Sequence, residues 1–181
     1  MHLVFTCDGG FKKVGCIPGI ASYAWVLWKD GRAVGSECGF VAWGLRTYSD
    51  MAEYGAIVAA LRWVCRARLG GLARIEIHSD CQSVVDRLSQ NRLGPRRHGI
   101  LMLHRAALRS VAWLRRRGHT VKLVWVPRKR VSPADALCRK TYTRSLAQPR
   151  PSSVHLRHFL RRETGKTTVR WVPHGGPADR S

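Results

Sequence analysis

The chain has 181 residues, of which 45% are hydrophobic, and this composition excludes wholesale disorder and allows one domain with a short appendage. Its 32 lysines and arginines against 11 acids give a net charge of +21, which favours polyanionic partners such as nucleic acid. No uncharged apolar stretch of about 18 residues indicates a membrane span. Asp8, Lys12 and Lys13 near the start do not match a signal peptide, so we expect a cytoplasmic protein with no membrane contact.

Three strands are predicted at the start of the chain, over His2–Thr6, Ile20–Trp28 and Ala33–Trp43. The dipeptide Asp30-Gly31 favours a tight two-residue turn between the second and the third strand. Two strands joined in this way are antiparallel, and the first strand can join them in the same sheet.

The remaining predicted elements follow the order helix, strand, helix, helix, strand and helix, as judged from apolar periodicity. In that order they are Asp50–Leu69, Ala73–Asp80, Gln82–Gln90, Ile100–Arg117, Thr120–Pro127 and a helix that begins at Pro133. The whole order predicts an α/β fold with a five-stranded mixed sheet, in which an antiparallel meander is followed by parallel strands with crossover helices.

The composition changes after Gln148 to the linker-like run "PRPSS". We expect a domain over residues 1–145 and a basic extension over residues 146–181 that holds a short helix and a strand-like run. From Thr141 to the end the chain has eight lysines and arginines and two acids, a net charge of 8 − 2 = +6. This extension is a candidate site for additional nucleic acid or for a protein partner.

Four acids fall at comparable places in the predicted fold. Asp8 follows the first strand and Asp80 ends the fourth, so both reach one edge of the sheet if these strands are neighbours. Glu53 and Asp135 lie in the first turns of two helices that can face the same edge. Four carboxylates that converge repel one another unless cations lie among them, and carboxylates suit Mg²⁺ or Mn²⁺ rather than zinc.

Each acid also has a purely local explanation, and these explanations do not exclude a metal-binding role. Glu53 can complete a helix cap that begins at Asp50, and Asp80 can cap the helix that follows it. Asp135 can favour the positive end of its helix, and Asp8 can be a turn residue.

Four segments resemble the motifs of the type 1 ribonuclease H family, in the family's order. They are "TCDGG" with Asp8, "MAEYGAIVAALRW" with Glu53, "IHSDCQSVV" with Asp80 and Gln82, and "WVPRKRVSPADALCRK" with Asp135. The resemblance covers about Met1–Arg144. It implies a ribonuclease H-like fold and an enzyme that cuts the RNA strand of RNA–DNA hybrids by two-metal-ion catalysis, leaving 5′-phosphate and 3′-hydroxyl ends. The four acids are then catalytic residues and ligands of two Mg²⁺ ions, for which Mn²⁺ can substitute.

Further residues are candidates for binding the hybrid. Gly9 and Gly10 are expected to let a nucleic-acid backbone approach the metal, and the resemblance makes Gln82 a substrate contact. The other candidates are cations: Lys12, Lys13, and the helical pair Arg105 and Arg109, which can grip the DNA strand. A solvated helix face explains the two arginines equally well.

Three departures from the family pattern bear on turnover. The loop after Asp8 has Lys12 and Lys13 where the family often has asparagines, and Val131 replaces an asparagine. The segment "PRKRVS" has no histidine, although a histidine that assists turnover is common there; His174 in the extension is a candidate substitute. Two alternatives therefore stay open: a non-catalytic nucleic-acid-binding subunit, and another nuclease of the same superfold. The second alternative expects an Asp-x-Glu pair on the first strand, which this chain lacks.

Overall fold

The computed structural model describes residues 1–13, 19–44, 47–67, 69–92, 97–147 and 156–161. Five strands form one sheet: β1 (His2–Lys12), β2 (Gly19–Lys29), β3 (Arg32–Gly44), β4 (Arg74–Ser79) and β5 (Thr120–Trp125). The helices are α1 (Ser49–Arg66), α2 (Gln82–Ser89), α3 (His98–Arg116), α4 (Ser132–Ala147) and α5 (Leu156–Arg161). A short 3₁₀ turn, Arg128–Arg130, links β5 to α4.

The strand order is β3-β2-β1-β4-β5, with β1, β2 and β3 antiparallel and with β4 and β5 parallel to β1. The predicted fold class, a five-stranded mixed sheet with flanking helices, is confirmed. Asp30 and Gly31 both have positive φ angles, of 51° and 73°, as expected for the tight turn between β2 and β3.

The helices cover both faces of the sheet. On one face, α1 is buried along Ile57 and Leu61 and packs against α3. On the same face, the rings of Phe5, Trp25 and Trp63 meet edge to face or tilted, at centroid distances of 5.4 to 5.7 Å.

On the other face, α4 packs through Ala134 and Cys138 against the small side chains of β2 that point to that face. Side chains of successive strand residues point to opposite faces, which explains this division.

Two predicted boundaries need correction. β1 does not end at Thr6 but continues through Asp8 to Lys12, because the ladder with β2 runs on across Gly9 and Gly10. The sequence pattern does not indicate this continuation, because Gly9 and Gly10 interrupt the alternation of apolar residues. α1 ends at Arg66 rather than at Leu69.

The helix α5 packs on the domain. Phe159 is buried and its ring lies 5.4 Å from that of Tyr23, edge to face. The Arg62 guanidinium donates hydrogen bonds to the backbone carbonyls of Phe159, at 2.9 Å, and Leu160. The remainder of the predicted extension, residues 148–155 and 162–181 with His174, lies outside the described residues. Among the described helices, none combines the length and the apolar character that a membrane crossing needs.

Candidate active site

Three carboxylates meet where β1 and β4 approach the same edge of the sheet. One oxygen each of Asp8, Glu53 and Asp80 lies within 4.8 Å of the other two. β1 and β4 are parallel neighbours, and Cys7 pairs with Ser79, so the two aspartates follow aligned positions. The first turn and a half of α1 lies over β1 and adds Glu53 to them.

Gly9 is what allows α1 to lie this close to β1. A Cβ on Gly9 would lie 2.7 Å from the Glu53 Cα and still closer to the backbone of Ala52. The Gly9 backbone N–H in turn acts to lower the pKa of the Glu53 carboxyl group, against the larger effects of burial and of the neighbouring acids. The missing side chain of Gly9 therefore makes room for the helix, which corrects the expectation that it makes room for nucleic acid.

Gly10 has a different environment. It lines an open cavity of about 330 Å³ beside the carboxylates, together with Lys12, Asp135 and Arg139. A Cβ on Gly10 would meet the Ser22 hydroxyl at 2.7 Å, which is a side chain rather than backbone. Gly10 therefore lies at the surface of this cavity, where the predicted approach of a nucleic-acid backbone stays a prediction.

The local explanations for Glu53 and Asp80 do not agree with the helix ends. The residue that precedes α1 is Tyr48 and the one that precedes α2 is Cys81, so neither Glu53 nor Asp80 lies at the position that its local explanation requires. The side chains of Tyr48 and Cys81 make no capping hydrogen bond. Asp50 lies inside α1 and forms an ion pair of 3.1 Å with Arg87 of α2.

The cluster has an excess of negative charge. Burial, followed by the charges of Asp80 and Asp135, raises the pKa of Asp8 to about 6. Burial, followed by the charges of Asp8 and Asp80, raises the pKa of Glu53 to about 9. The buried Glu53 Oε2 has no hydrogen-bond partner among the described residues. An unpartnered carboxylate oxygen among other carboxylates fits a hard divalent cation, such as Mg²⁺ or Mn²⁺.

Asp135 lies next to this cluster, since its charge raises the pKa of Asp8, but it is paired with two arginines. Its Oδ1 lies 3.3 Å from Arg128 Nη2, and its Oδ2 lies 2.7 Å from Arg139 Nη2. Arg128 Nη1 also lies 3.9 Å from Asp80 Oδ2, so this side chain lies between β4 and α4. Arg128 was not among the predicted site residues. Its position just after β5 indicates a place near the site, because β5 ends at the same edge of the sheet as Asp80.

Two other residues support the site and were not predicted. The Cys138 thiol donates a hydrogen bond of 3.2 Å to the Asp8 carbonyl, and burial raises the pKa of this thiol far enough to keep it protonated. The Trp125 indole N–H donates to the Asp80 carbonyl at 3.1 Å, while 47% of the residue remains exposed. Trp125 thus fixes the chain after Asp80 and presents an aromatic surface beside the carboxylates.

The predicted substrate-binding residues lie at different distances from this cluster. Gln82 is exposed at the first residue of α2, two positions after Asp80, and Lys13 is exposed beyond the end of β1.

Arg105 and Arg109 are exposed on α3. Arg109 lies near Arg62, which is nine residues, or about 13 Å, further along α1 than Glu53. The structure therefore does not bring Arg109 into the carboxylate cluster. Val131 is fully buried at the start of α4 and faces the core.

Comparisons with known proteins agree with this architecture. The sequence model of the reverse transcriptase-like family matches residues 6–141. No curated protein sequence matches the chain. The expected resemblance to ribonucleases H is confirmed by this match together with the solved structures that share the fold.

Three solved structures illustrate the shared fold. Ribonuclease H1 from the halophilic archaeon Halobacterium salinarum NRC-1 is 26% identical, with a TM-score of 0.58, over 79% of this chain and 97% of that one. The N-terminal ribonuclease H domain of Rv2228c from Mycobacterium tuberculosis is 23% identical, with a TM-score of 0.62, over 81% and 96%. LC11-RNase H1, solved in complex with an RNA/DNA hybrid, is 18% identical, with a TM-score of 0.64, over 80% and 99%.

Proposed function

The chain belongs to the reverse transcriptase-like family, and on that premise we propose that it is a ribonuclease H that hydrolyses the RNA strand of RNA–DNA hybrids. The observation that carries this proposal is the meeting of Asp8, Glu53 and Asp80 within 4.8 Å, with Asp135 beside them. Four of the 11 acids in this basic chain therefore lie at or beside one edge of its sheet.

The metal ions that we propose are Mg²⁺, with Mn²⁺ as a substitute. Asp8, Glu53 and Asp80 would hold one cation, and Asp135, whose charge acts on Asp8, would help to hold a second. Such ions supply activation of a water molecule and stabilisation of the leaving oxygen in phosphodiester hydrolysis. The expected products of that chemistry carry 5′-phosphate and 3′-hydroxyl ends.

The protein's own residues prepare the site for this chemistry. The close approach of Gly9 and Glu53 holds α1 against β1, so that the buried Asp8 and the half-buried Glu53 stay in a fixed relation. Trp125 and Cys138 hold the backbones of Asp80 and Asp8 from either side. The carboxylates are therefore held by contacts within the protein, which limits how far they must move when a cation binds.

The substrate class is supported by charge and by the fold. The net charge of +21 suits a nucleic-acid duplex, and the cavity with Lys12 and Arg139 beside the carboxylates suits a phosphate backbone. Selection of the RNA strand requires contacts to successive 2′-hydroxyl groups, for which Gln82 and the backbone at Gly10 are the candidates. The basic extension over residues 146–181 is proposed to bind further nucleic acid or a protein partner.

The test is a cleavage assay on three duplexes and one single strand of the same sequence, with either strand of each duplex labelled. RNA–DNA hybrid, RNA duplex, DNA duplex and single-stranded RNA are incubated with Mg²⁺, with Mn²⁺ or with chelator. We expect metal-dependent cutting of only the RNA strand of the hybrid, with 3′-hydroxyl ends that a polymerase can extend. Binding of the hybrid with no cutting in either metal would contradict the proposal and favour a non-catalytic binding subunit.

A further inference from the structure

Arg128 lies between two of the acids that we propose as metal ligands. It is the first residue of the 3₁₀ turn after β5, and its guanidinium reaches Asp135 Oδ1 at 3.3 Å and Asp80 Oδ2 at 3.9 Å. These acids belong to separate elements, since Asp80 follows β4 and Asp135 lies in the first turn of α4. Arg128 is thus a cation that joins the two sides of the site.

The second arginine at the site behaves differently. Arg139 pairs with Asp135 at 2.7 Å from one helical turn further along α4. This contact lies within one element and does not reach toward β4. Among the ion pairs of the described residues, Arg128 alone contacts two acids of the site.

We propose that Arg128 is the resident counter-ion of these two acids, and that a divalent cation must displace it from Asp80 or Asp135 in order to bind the oxygen that Arg128 contacts. The proposal rests on the proposed function, because it takes these acids as metal ligands. A guanidinium and a metal ion are alternative partners for the same carboxylate oxygens, and an oxygen that faces Arg128 is less available to a cation.

The side chain of Arg128 is suited to being displaced. Its side chain is 70% exposed, whereas those of Asp80 and Asp135 are 12% and 18% exposed. It can therefore swing into solvent while both carboxylates stay in place. Ion pairs of such exposed side chains are weak, so Arg128 lowers the affinity for the cation without blocking the site.

Lys129 provides a matched control for this effect. It is the next residue in the same 3₁₀ turn, and it is also exposed. Arg128→Gln and Lys129→Gln each remove one positive charge at nearly the same place, so any general effect of net charge is common to both. Only Arg128→Gln removes a contact to Asp80 and Asp135.

The experiment is a titration of the full chain with Mn²⁺, with the free ion measured by electron paramagnetic resonance at low salt. We expect Arg128→Gln to bind Mn²⁺ roughly two- to fivefold more tightly than Lys129→Gln, as the loss of a weak competing ion pair requires. Without metal, we expect Arg128→Gln to have the lower melting temperature of the two, because the acids have lost their counter-ion. Equal affinities, or weaker binding by Arg128→Gln, would overturn the proposal.

An Asp80→Asn variant separates this proposal from the proposed function. If wild-type protein binds Mn²⁺ and Asp80→Asn does not, the acids form a metal site, and equal affinities of the two glutamine variants then reject Arg128 alone. If wild-type and Asp80→Asn proteins bind Mn²⁺ equally, the metal site itself is rejected, and the role of Arg128 with it. Circular dichroism spectra of all variants establish that each is folded.

Discussion

Gly9 and Glu53 lie against each other where α1 packs on β1. The Glu53 backbone fills the space that a Cβ on Gly9 would occupy, and the Gly9 N–H acts to lower the pKa of the Glu53 carboxyl group. Because Asp8 precedes Gly9 on β1, this contact sets the separation of Asp8 and Glu53. The relation between the strand and the helix is therefore part of the candidate metal site.

Replacement of Gly9 by alanine tests this relation. The new methyl group would overlap the α1 backbone, which cannot rotate away, so we expect the Gly9→Ala variant to lose about 2 kcal/mol of folding free energy or more. The displaced Glu53 should also weaken Mn²⁺ binding. Urea denaturation and Mn²⁺ titration measure the two effects.

The matched control is Gly10→Ala, in which the methyl group meets the Ser22 hydroxyl instead of backbone. Since a serine side chain can rotate, this variant should lose less stability than Gly9→Ala. An equal loss in both variants would show that glycine is needed on this strand for a reason other than the approach of α1.

The raised pKa of Glu53 predicts how the stability of the metal-free protein depends on pH. The pKa is about 9 in the folded protein, against an ordinary value of 4.5, so between these values the folded state holds the proton more tightly than the unfolded state. Stability therefore falls as the pH rises through this window. We expect wild-type protein in chelator to lose more stability between about pH 6.5 and pH 8.5 than Glu53→Gln, which has no carboxyl group to titrate.

Urea denaturation of both proteins at the two pH values measures this difference. Asp8 titrates near pH 6 and contributes mainly below the chosen range, and it is the same in both proteins. Parallel pH dependences in wild-type and Glu53→Gln proteins would show that the Glu53 pKa is not raised.

Binding of Mg²⁺ should stabilise the folded protein, since the acids converge only in the folded state. A ligand at about a hundred times its dissociation constant adds about 2.7 kcal/mol to the free energy of unfolding. We expect the melting temperature of wild-type protein to rise with Mg²⁺ concentration, and that of Asp80→Asn to stay nearly constant. The rise should be larger at higher pH, because the metal competes with the proton on Glu53. An equal rise in both proteins would place the bound Mg²⁺ elsewhere.

The contact of α5 with the domain predicts a stabilising role for this short helix. Phe159 is 6% exposed between Tyr23 and Arg62, so Phe159→Ala should cost about 3 kcal/mol of folding free energy. The comparison is Leu72→Ala, at an apolar residue that is 70% exposed, which should cost little. The two denaturation midpoints check this prediction, and equal midpoints would show that α5 does not contribute to stability.

The sequence predicted the fold because its apolar periods change clearly from strand to helix, and because Asp30-Gly31 defines the first hairpin. It did not predict that β1 continues through Asp8, because Gly9 and Gly10 carry no side-chain pattern and their pairing with β2 is a long-range interaction. The convergence of Asp8 and Asp80 followed from topology, since both follow neighbouring parallel strands.

The sequence could not predict the partners of the acids. Arg128 is one of many arginines in a very basic chain, and only the three-dimensional path of the 3₁₀ turn brings it to Asp80 and Asp135. The role of Gly9 was likewise misjudged, because a glycine beside a candidate metal ligand suggests space for a substrate as readily as space for a helix. Both outcomes depend on packing between elements that are distant in sequence.

The Asp8→Asn variant distinguishes a carboxylate cluster that cuts the hybrid from one that only holds it. The measurement compares hybrid affinity in Ca²⁺ with the single-turnover cleavage rate in Mg²⁺ for wild-type and variant protein. We expect similar affinities, because basic residues dominate binding, and a cleavage rate lower by on the order of 10³-fold in the variant. A variant that cuts the RNA strand as fast as the wild-type protein would show that Asp8 takes no part in the cleavage.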